Sequence, residues 1–234
     1  MTTAPPGDPA AAPVLADAST AALPGDATAA PLLNDPVELL RRHDALQRPA
    51  MQPLLRFAAR IRRETGQPVP EADPADGGTA ARLLLLLETP GPSIRGTGFV
   101  SRDNPTPTGR NLRRFLTEAG IPREDVLIWN AVPWVIHAPG ARNRPPRPAE
   151  IRAGQNWLPP LLALLPRLAV AVLSGRVAGL SAEVLRDARP ALPVLLMPHP
   201  SPTITCTSPA VPARIAAALA EAAALLHLPG RSAA

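Results

Sequence analysis

Four short apolar runs, RLLLLL, DVLIWN, LAVAVLSG and PVLLMPH, recur after residue 80, and helical patterns fall between them. A strand that is apolar throughout needs cover on both faces, and a parallel sheet between two helical layers provides it. Strands alternating with helices point the same way. The expected fold is therefore α/β: a three-layer α/β/α sandwich with a central, mostly parallel four-stranded sheet. In PTGRNLRRFLTEAG, Leu112, Phe115, Leu116 and Ala119 fall on one helical face, and a glycine closes the helix. PAEIRAGQNWLPPLLALL reads as helix broken at Pro159 and Pro160. VAGLSAEVLRDA is a weaker helix, and PARIAAALAEAAALLHL is a long final one.

The chain divides into three parts. Residues 1–33 are rich in Ala, Pro, Thr and Asp without periodicity and are expected to be a disordered arm. Residues 34–80 carry N-terminal helices and a linker. Asn34 or Asp35 can cap the first helix, and Pro36 suits its first turn. MQPLLRFAARIRRETG resumes as a basic amphipathic helix ending at Gly66, and EADPADGGTA reads as the linker. Residues 81–230 hold the α/β domain.

Charge and cysteine content narrow the function classes. The net charge is +5, and all 24 basic residues are arginine. Arginine grips phosphates through paired hydrogen bonds, so nucleic-acid binding is permitted without being required. Cys206 is the single cysteine, which excludes an internal disulfide and a cysteine-ligated iron–sulfur cluster. No metal or other cofactor is expected. The first twenty residues lack the basic and apolar regions of a signal peptide, and ARLLLLLE is too short to span a bilayer. The expected location is cytoplasmic, without a membrane partner, and the chain is expected to act as a monomer.

In parallel sheets, ligands bind beyond the carboxyl ends of the strands. Here those ends read ETPGPSIRGTGF, NAVPWVIHAPGARNR, SGRVAG and HPSPTIT. Glu88 and Thr89 precede Pro90-Gly91-Pro92, Asn130 ends the second run, and His199 stands between two prolines. Taken singly, ETPGP is equally a turn, Asn130 a strand-end cap and PHP a rigid corner. Together they put a carboxylate, an amide and an imidazole on one edge of one sheet. An amide can read the donor–acceptor edge of a nucleobase. An imidazole can donate to an oxygen that gains charge as a bond breaks. Arg142, Arg144 and Arg147 in ARNRPPR are placed to hold phosphates.

These residues resemble the uracil-DNA glycosylase superfamily over about residues 82–226. The family's first motif, G-Q-D-P-Y in one branch and G-E-A-P-G in others, is similar to Leu87-Glu88-Thr89-Pro90-Gly91. Its last motif, H-P-S-P or H-P-S-A, is similar to His199-Pro200-Ser201-Pro202. IWNAVPW supplies the base-reading Asn130, and GTGFVSRDN resembles the segment with the stacking ring, which nominates Phe99. The resemblance implies a glycosylase that hydrolyses the N-glycosidic bond of uracil, or another deaminated base, in DNA. His199 and Asn130 would be catalytic, with Glu88 or Asp103 orienting water. Thr89, Gly91, Phe99 and Asn130 would bind the base. Arg142, Arg144 and Ser201 would contact DNA phosphates, and Ile204 would wedge into the stack. Two departures stand out: Leu87 replaces a glycine, and Thr89 occupies the place of the water-activating Asp of one branch.

Two further function classes remain. A relative without catalysis, binding nucleic acid or a free base, is favoured by the absent Asp. An α/β hydrolase-like or nucleotide-binding enzyme is disfavoured by the lack of a G-x-S-x-G elbow or a phosphate-binding glycine loop. Trp129, Trp134 and Trp157 read as core or pocket wall, and His43, His137 and His227 as surface or locally partnered residues.

Overall fold

The structure, a computed structural model, describes Met1 and residues 32–92, 94–138, 140–141 and 144–227. Helices α1 (Pro36–Ala45) and α2 (Gln52–Thr65) come first, then strand β1 (Glu71–Ala72) and strand β2 (Leu83–Leu87). Helix α3 (Ile94–Thr97), strand β3 (Phe99–Val100), helix α4 (Pro107–Glu118) and strand β4 (Val126–Asn130) follow. Helices α5 (Pro148–Gln155) and α6 (Leu158–Ala163) lead to strand β5 (Val170–Ser174). Helices α7 (Arg176–Gly179) and α8 (Ala182–Ala188), strand β6 (Val194–Met197), and helices α9 (Pro202–Thr205) and α10 (Ala210–His227) complete the domain.

The main sheet has the order β4-β2-β5-β6, and every pairing in it is parallel. Side chains alternate across a strand. Leu84, Leu86, Leu127, Trp129, Ala171 and Leu173 therefore face one layer, with α2, α6 and α8. Leu83, Leu85, Val126, Ile128, Val170 and Val172 face the other, with α4 and α10. This is the three-layer α/β/α sandwich that the four apolar runs require. Helix α10 is long and apolar enough to cross a membrane by length and composition; its Ile215, Leu219, Ala222 and Leu226 are buried.

The cap signals act as expected. Asp35 accepts from the Val37 N–H at 2.9 Å, and Gly66 ends α2 at φ +67°. Two expectations are corrected. The helix break falls at Asn156–Trp157, ahead of the prolines, because Pro159 and Pro160 occupy the first turn of α6, where no N–H is needed.

The stretch EADPADGGTA is no linker. Asp73 and Asp76 are almost wholly buried and meet arginines from distant parts of the chain. Arg42 of α1 donates to both Asp73 oxygens, at 2.7 and 2.6 Å, and to Asp103 Oδ2 at 2.8 Å. Arg123 reaches Asp103 at 2.6 Å, Asp73 at 2.8 Å and Asp76 at 3.0 Å. Buried charges survive when paired in this way. The cluster pins α1 and the 71–78 segment to the domain.

Candidate functional site

Because the strands are parallel and in register, their carboxyl ends form one rim. Leu87 pairs with Asn130, and Ser174 pairs with Met197. Two main-chain bonds extend the tie past the ladder: Ala131 N–H to Leu87 O at 2.8 Å and Val132 N–H to Glu88 O at 3.0 Å. The ETPGP loop and the Asn130 loop are thereby held together. Behind the rim lies an inner cavity of about 230 Å³, whose wall includes Thr89, Gly91, Val100, Ser101, Asn130 and His199. A larger, more open cavity of about 690 Å³ adjoins it and includes Glu88, Arg176, Ser201, Ile204 and Arg214. Thr89, Thr108 and His199 belong to both, so they stand where the two cavities meet.

Asn130 is 2% exposed, and its Oδ1 has no hydrogen-bond partner among the described residues. A buried, unmet acceptor costs free energy unless something else meets it. Its neighbour Asn104 differs. There Oδ1 accepts from Thr97 Oγ1 at 2.7 Å, and Nδ2 donates to Phe99 O at 2.9 Å, so Asn104 is wall and Asn130 is free to read a ligand.

His199 is oriented by its own loop. The Ser201 N–H donates to His199 Nδ1 at 3.2 Å, so in the neutral ring the proton sits on Nε2 and that nitrogen is a donor. Asn111 Nδ2 donates to Pro200 O at 2.8 Å and ties the loop to α4. Burial pushes the imidazole below its ordinary value, and the nearby Glu88 carboxylate opposes that. The neutral donor form is the favoured one at neutral pH.

Glu88 accepts from the Val177 N–H at 3.0 Å through Oε1. This bond brings its carboxyl over Gly175, which has φ +90°. A Cβ at position 175 would lie 2.6 Å from Glu88 Oε1 and 3.2 Å from His199 Cβ. Only glycine fits there, on conformational and steric grounds together.

Several expected site residues are placed elsewhere. Phe99 does not reach the inner cavity: it is fully buried, with its ring centroid 5.0 Å from that of His43. Strand alternation puts Val100 on the cavity side instead. Asp103 cannot orient water, because Arg42, Arg113 and Arg123 occupy its oxygens. Burial alone would raise its carboxyl, but Arg123 and Arg42 outweigh burial and hold it low. Arg144 is not open to phosphate: it grips Glu150 at 2.6 and 2.8 Å, and that bond holds the Glu150 carboxyl down to about 2. Arg142 lies outside the described residues. Ser201 and Ile204 do stand on the outer cavity, and Ile204 is 40% exposed. Arg176 and Arg214, on the same wall, were not singled out in the sequence. Their only signal was an arginine directly after SG and another in the final helix.

The model of the Uracil DNA glycosylase superfamily matches residues 74–223. The chain belongs to that superfamily. The match spans everything from the buried Asp76 to most of α10, so both cavities lie within it. No curated protein matches the chain. Membership supports a glycosylase-like function with DNA as the partner. Among the described residues no group of three or more His, Cys, Asp or Glu could hold a metal ion, and Cys206 is free and exposed.

Proposed function

We propose that this protein removes uracil, or another deaminated base, from DNA by hydrolysing the N-glycosidic bond, and leaves an abasic site. The observation that carries this is the pairing, in one inner cavity, of the unpartnered Asn130 acceptor with the fixed His199 donor. The base swings out of the strand into the cavity, and Asn130 Oδ1 accepts from its ring N–H. Gly91 and Thr89 line the pocket beside it. The bond from the sugar C1′ to the base nitrogen breaks, and its electron pair stays with the base. His199 Nε2–H donates to the base oxygen that gains this charge. A water molecule then bonds to C1′ and loses its proton. Glu88, whose Oε1 is held by Val177, is the carboxylate on the outer-cavity wall, next in sequence to Thr89 at the junction, and takes that proton. Ile204, exposed at the lip, fills the gap left in the stack.

A second reading, binding of a base or a strand without turnover, rests on a specific observation. Glu88 lines the outer cavity only, and Thr89 brings a hydroxyl rather than a carboxylate to the junction. Release of uracil from a labelled single-stranded oligonucleotide separates the two. Turnover by the wild type that falls roughly 10²–10³-fold in His199→Ala, and also falls in Asn130→Ala, is expected for the glycosylase. Binding without release by the wild type, on uracil, hypoxanthine and xanthine alike, would leave only the second reading.

A further inference from the structure

Several arginines are engaged within the protein: Arg42, Arg102 and Arg123 in the buried cluster, Arg62 on Glu71, Arg82 on Asp125, Arg95 on the His137 carbonyl and Arg144 on Glu150. Others, Arg147 and Arg167 among them, are exposed but line neither cavity. Arg176 and Arg214 have no ion pair or hydrogen bond from the described residues, and both are exposed on the wall of the outer cavity. They come from different elements. Arg176 opens α7 beside Gly175, and Arg214 lies in the second turn of α10. The single carboxylate on that wall is Glu88, and its Oε1 is engaged by Val177. Two unneutralised guanidiniums facing one open cleft attract an anion, and guanidinium geometry favours phosphate.

The division of space shows where the anion belongs. The inner cavity is small and has Asn130 in its wall, whereas the outer one is about three times larger and more open. A nucleotide with its base in the inner cavity has its sugar at the Thr89–Thr108–His199 junction. Its backbone must then leave through the outer cavity, past both arginines. Ser201 and Thr203, hydrogen-bonded to each other at 3.0 Å, add neutral hydroxyls along that path.

We propose that Arg176 and Arg214 form a phosphate clamp that grips the DNA backbone on the two sides of the extruded nucleotide. This deepens the glycosylase reading and rests on it for the occupant of the inner cavity. Both are positioning residues: they hold the strand while His199 and Asn130 face the base.

The test uses the full chain and a single-stranded oligonucleotide carrying a tetrahydrofuran abasic analogue, which cannot be cleaved. Its Kd is followed by fluorescence anisotropy over a range of salt concentrations. KM and kcat for uracil release, and inhibition by free uracil, are measured beside it. Arg176→Gln and Arg214→Gln are each expected to flatten the slope of log Kd against log salt by about 0.7. Each should also weaken binding roughly ten-fold, with the loss falling on KM. Inhibition by free uracil should not change, because the inner cavity is untouched. Arg167→Gln removes the same charge from an exposed site at the opposite edge of the sheet, just ahead of β5, and should leave the slope as in the wild type. Unchanged slopes for Arg176 and Arg214, or an equal loss in Arg167→Gln, overturn the clamp. A wild type that releases uracil while the slopes stay unchanged overturns the clamp alone. A wild type that binds the oligonucleotide with the expected losses yet releases no base keeps the clamp and overturns the glycosylase reading.

Discussion

At the residue scale the site depends on proton placement. His199 can accept from Ser201 through Nδ1 only while that nitrogen is bare, so protonating the ring removes the bond that orients it. Burial has lowered its pKa, so the neutral form persists below the ordinary histidine range. Base release should therefore be level near neutrality and fall on the acid side of pH 6.5. Glu88→Gln keeps an acceptor for Val177 but removes the charge that raises the His199 pKa. The acid limb of the pH–rate profile should then move to lower pH, and a limb that stays put would mean that His199 is not the titrating group. The linked stability has the same sign. A depressed histidine contributes stability present above pH 6.5 and lost as pH falls through its folded pKa. Gly175→Ala tests the packing beneath both side chains. Gly175 has φ +90° and ψ 175°, a region that costs a residue with a Cβ roughly 1–3 kcal/mol, and displacing Glu88 and His199 by even an ångström should lower kcat about a hundred-fold. Gly96→Ala, with open space around it and no positive φ, should leave both melting temperature and kcat alone.

At the element scale the buried ionic cluster decides where α1 and the 71–78 segment sit. Arg42 supplies the link from α1, so Arg42→Met should leave three buried carboxylates, those of Glu38, Asp73 and Asp103, short of a partner. The cost is about 3–5 kcal/mol in denaturant unfolding. Asp103→Asn should also destabilise the fold but spare kcat at temperatures where the chain stays folded, which separates a structural carboxylate from a water-orienting one. Asp76 behaves in the opposite sense to Asp103. Burial, opposed by Arg102 and reinforced by Asp73, pushes its carboxyl up to about 7. A raised carboxyl contributes stability that is full below pH 3.8 and lost as pH rises through 7. Asp76→Asn should flatten the decline in melting temperature between pH 4 and 8. No element here could be read as a cluster in advance. Asp73 and Asp76 sit in a Pro- and Gly-rich stretch with the composition of a loop, and Arg42, Asp103 and Arg123 are separated from them by tens of residues. The main-sheet strands and long helices were legible because their signals are local: apolar run length, helical spacing, Asp35 before Pro36, and Gly66 after the last turn.

At the scale of the whole molecule, the parallel sheet made most of the site legible as well. Once the four runs were strands, Glu88, Asn130 and His199 had to share an edge, whatever lay between them. What stayed hidden depended on side-chain direction. Phe99 belongs to a two-residue strand, too short for alternation to be seen, and its ring turned to His43 while Val100 took the cavity. Arg144 lay in a loop that looked free, and its partner Glu150 appears only when α5 is placed next to it. The amino-terminal limit of the domain can be checked directly. Leu33 is buried, and its N–H bonds to Asp103 O at 3.0 Å. A chain starting at residue 50 loses both Leu33 and Arg42 and should melt well below the full-length protein.

The flush ending of the strands has a consequence for how such a protein changes over generations. Leu86, Trp129 and Leu173 lie one step inside the rim and are wholly enclosed, whereas Glu88, Asn130 and Gly175 lie at or just past it. Replacements in the inner row are paid for in folding; those in the outer row are felt mainly in chemistry. A lineage built this way can drift in what it recognises through single codon changes at the rim, while the hidden rows stay fixed and keep every variant soluble enough to be tried.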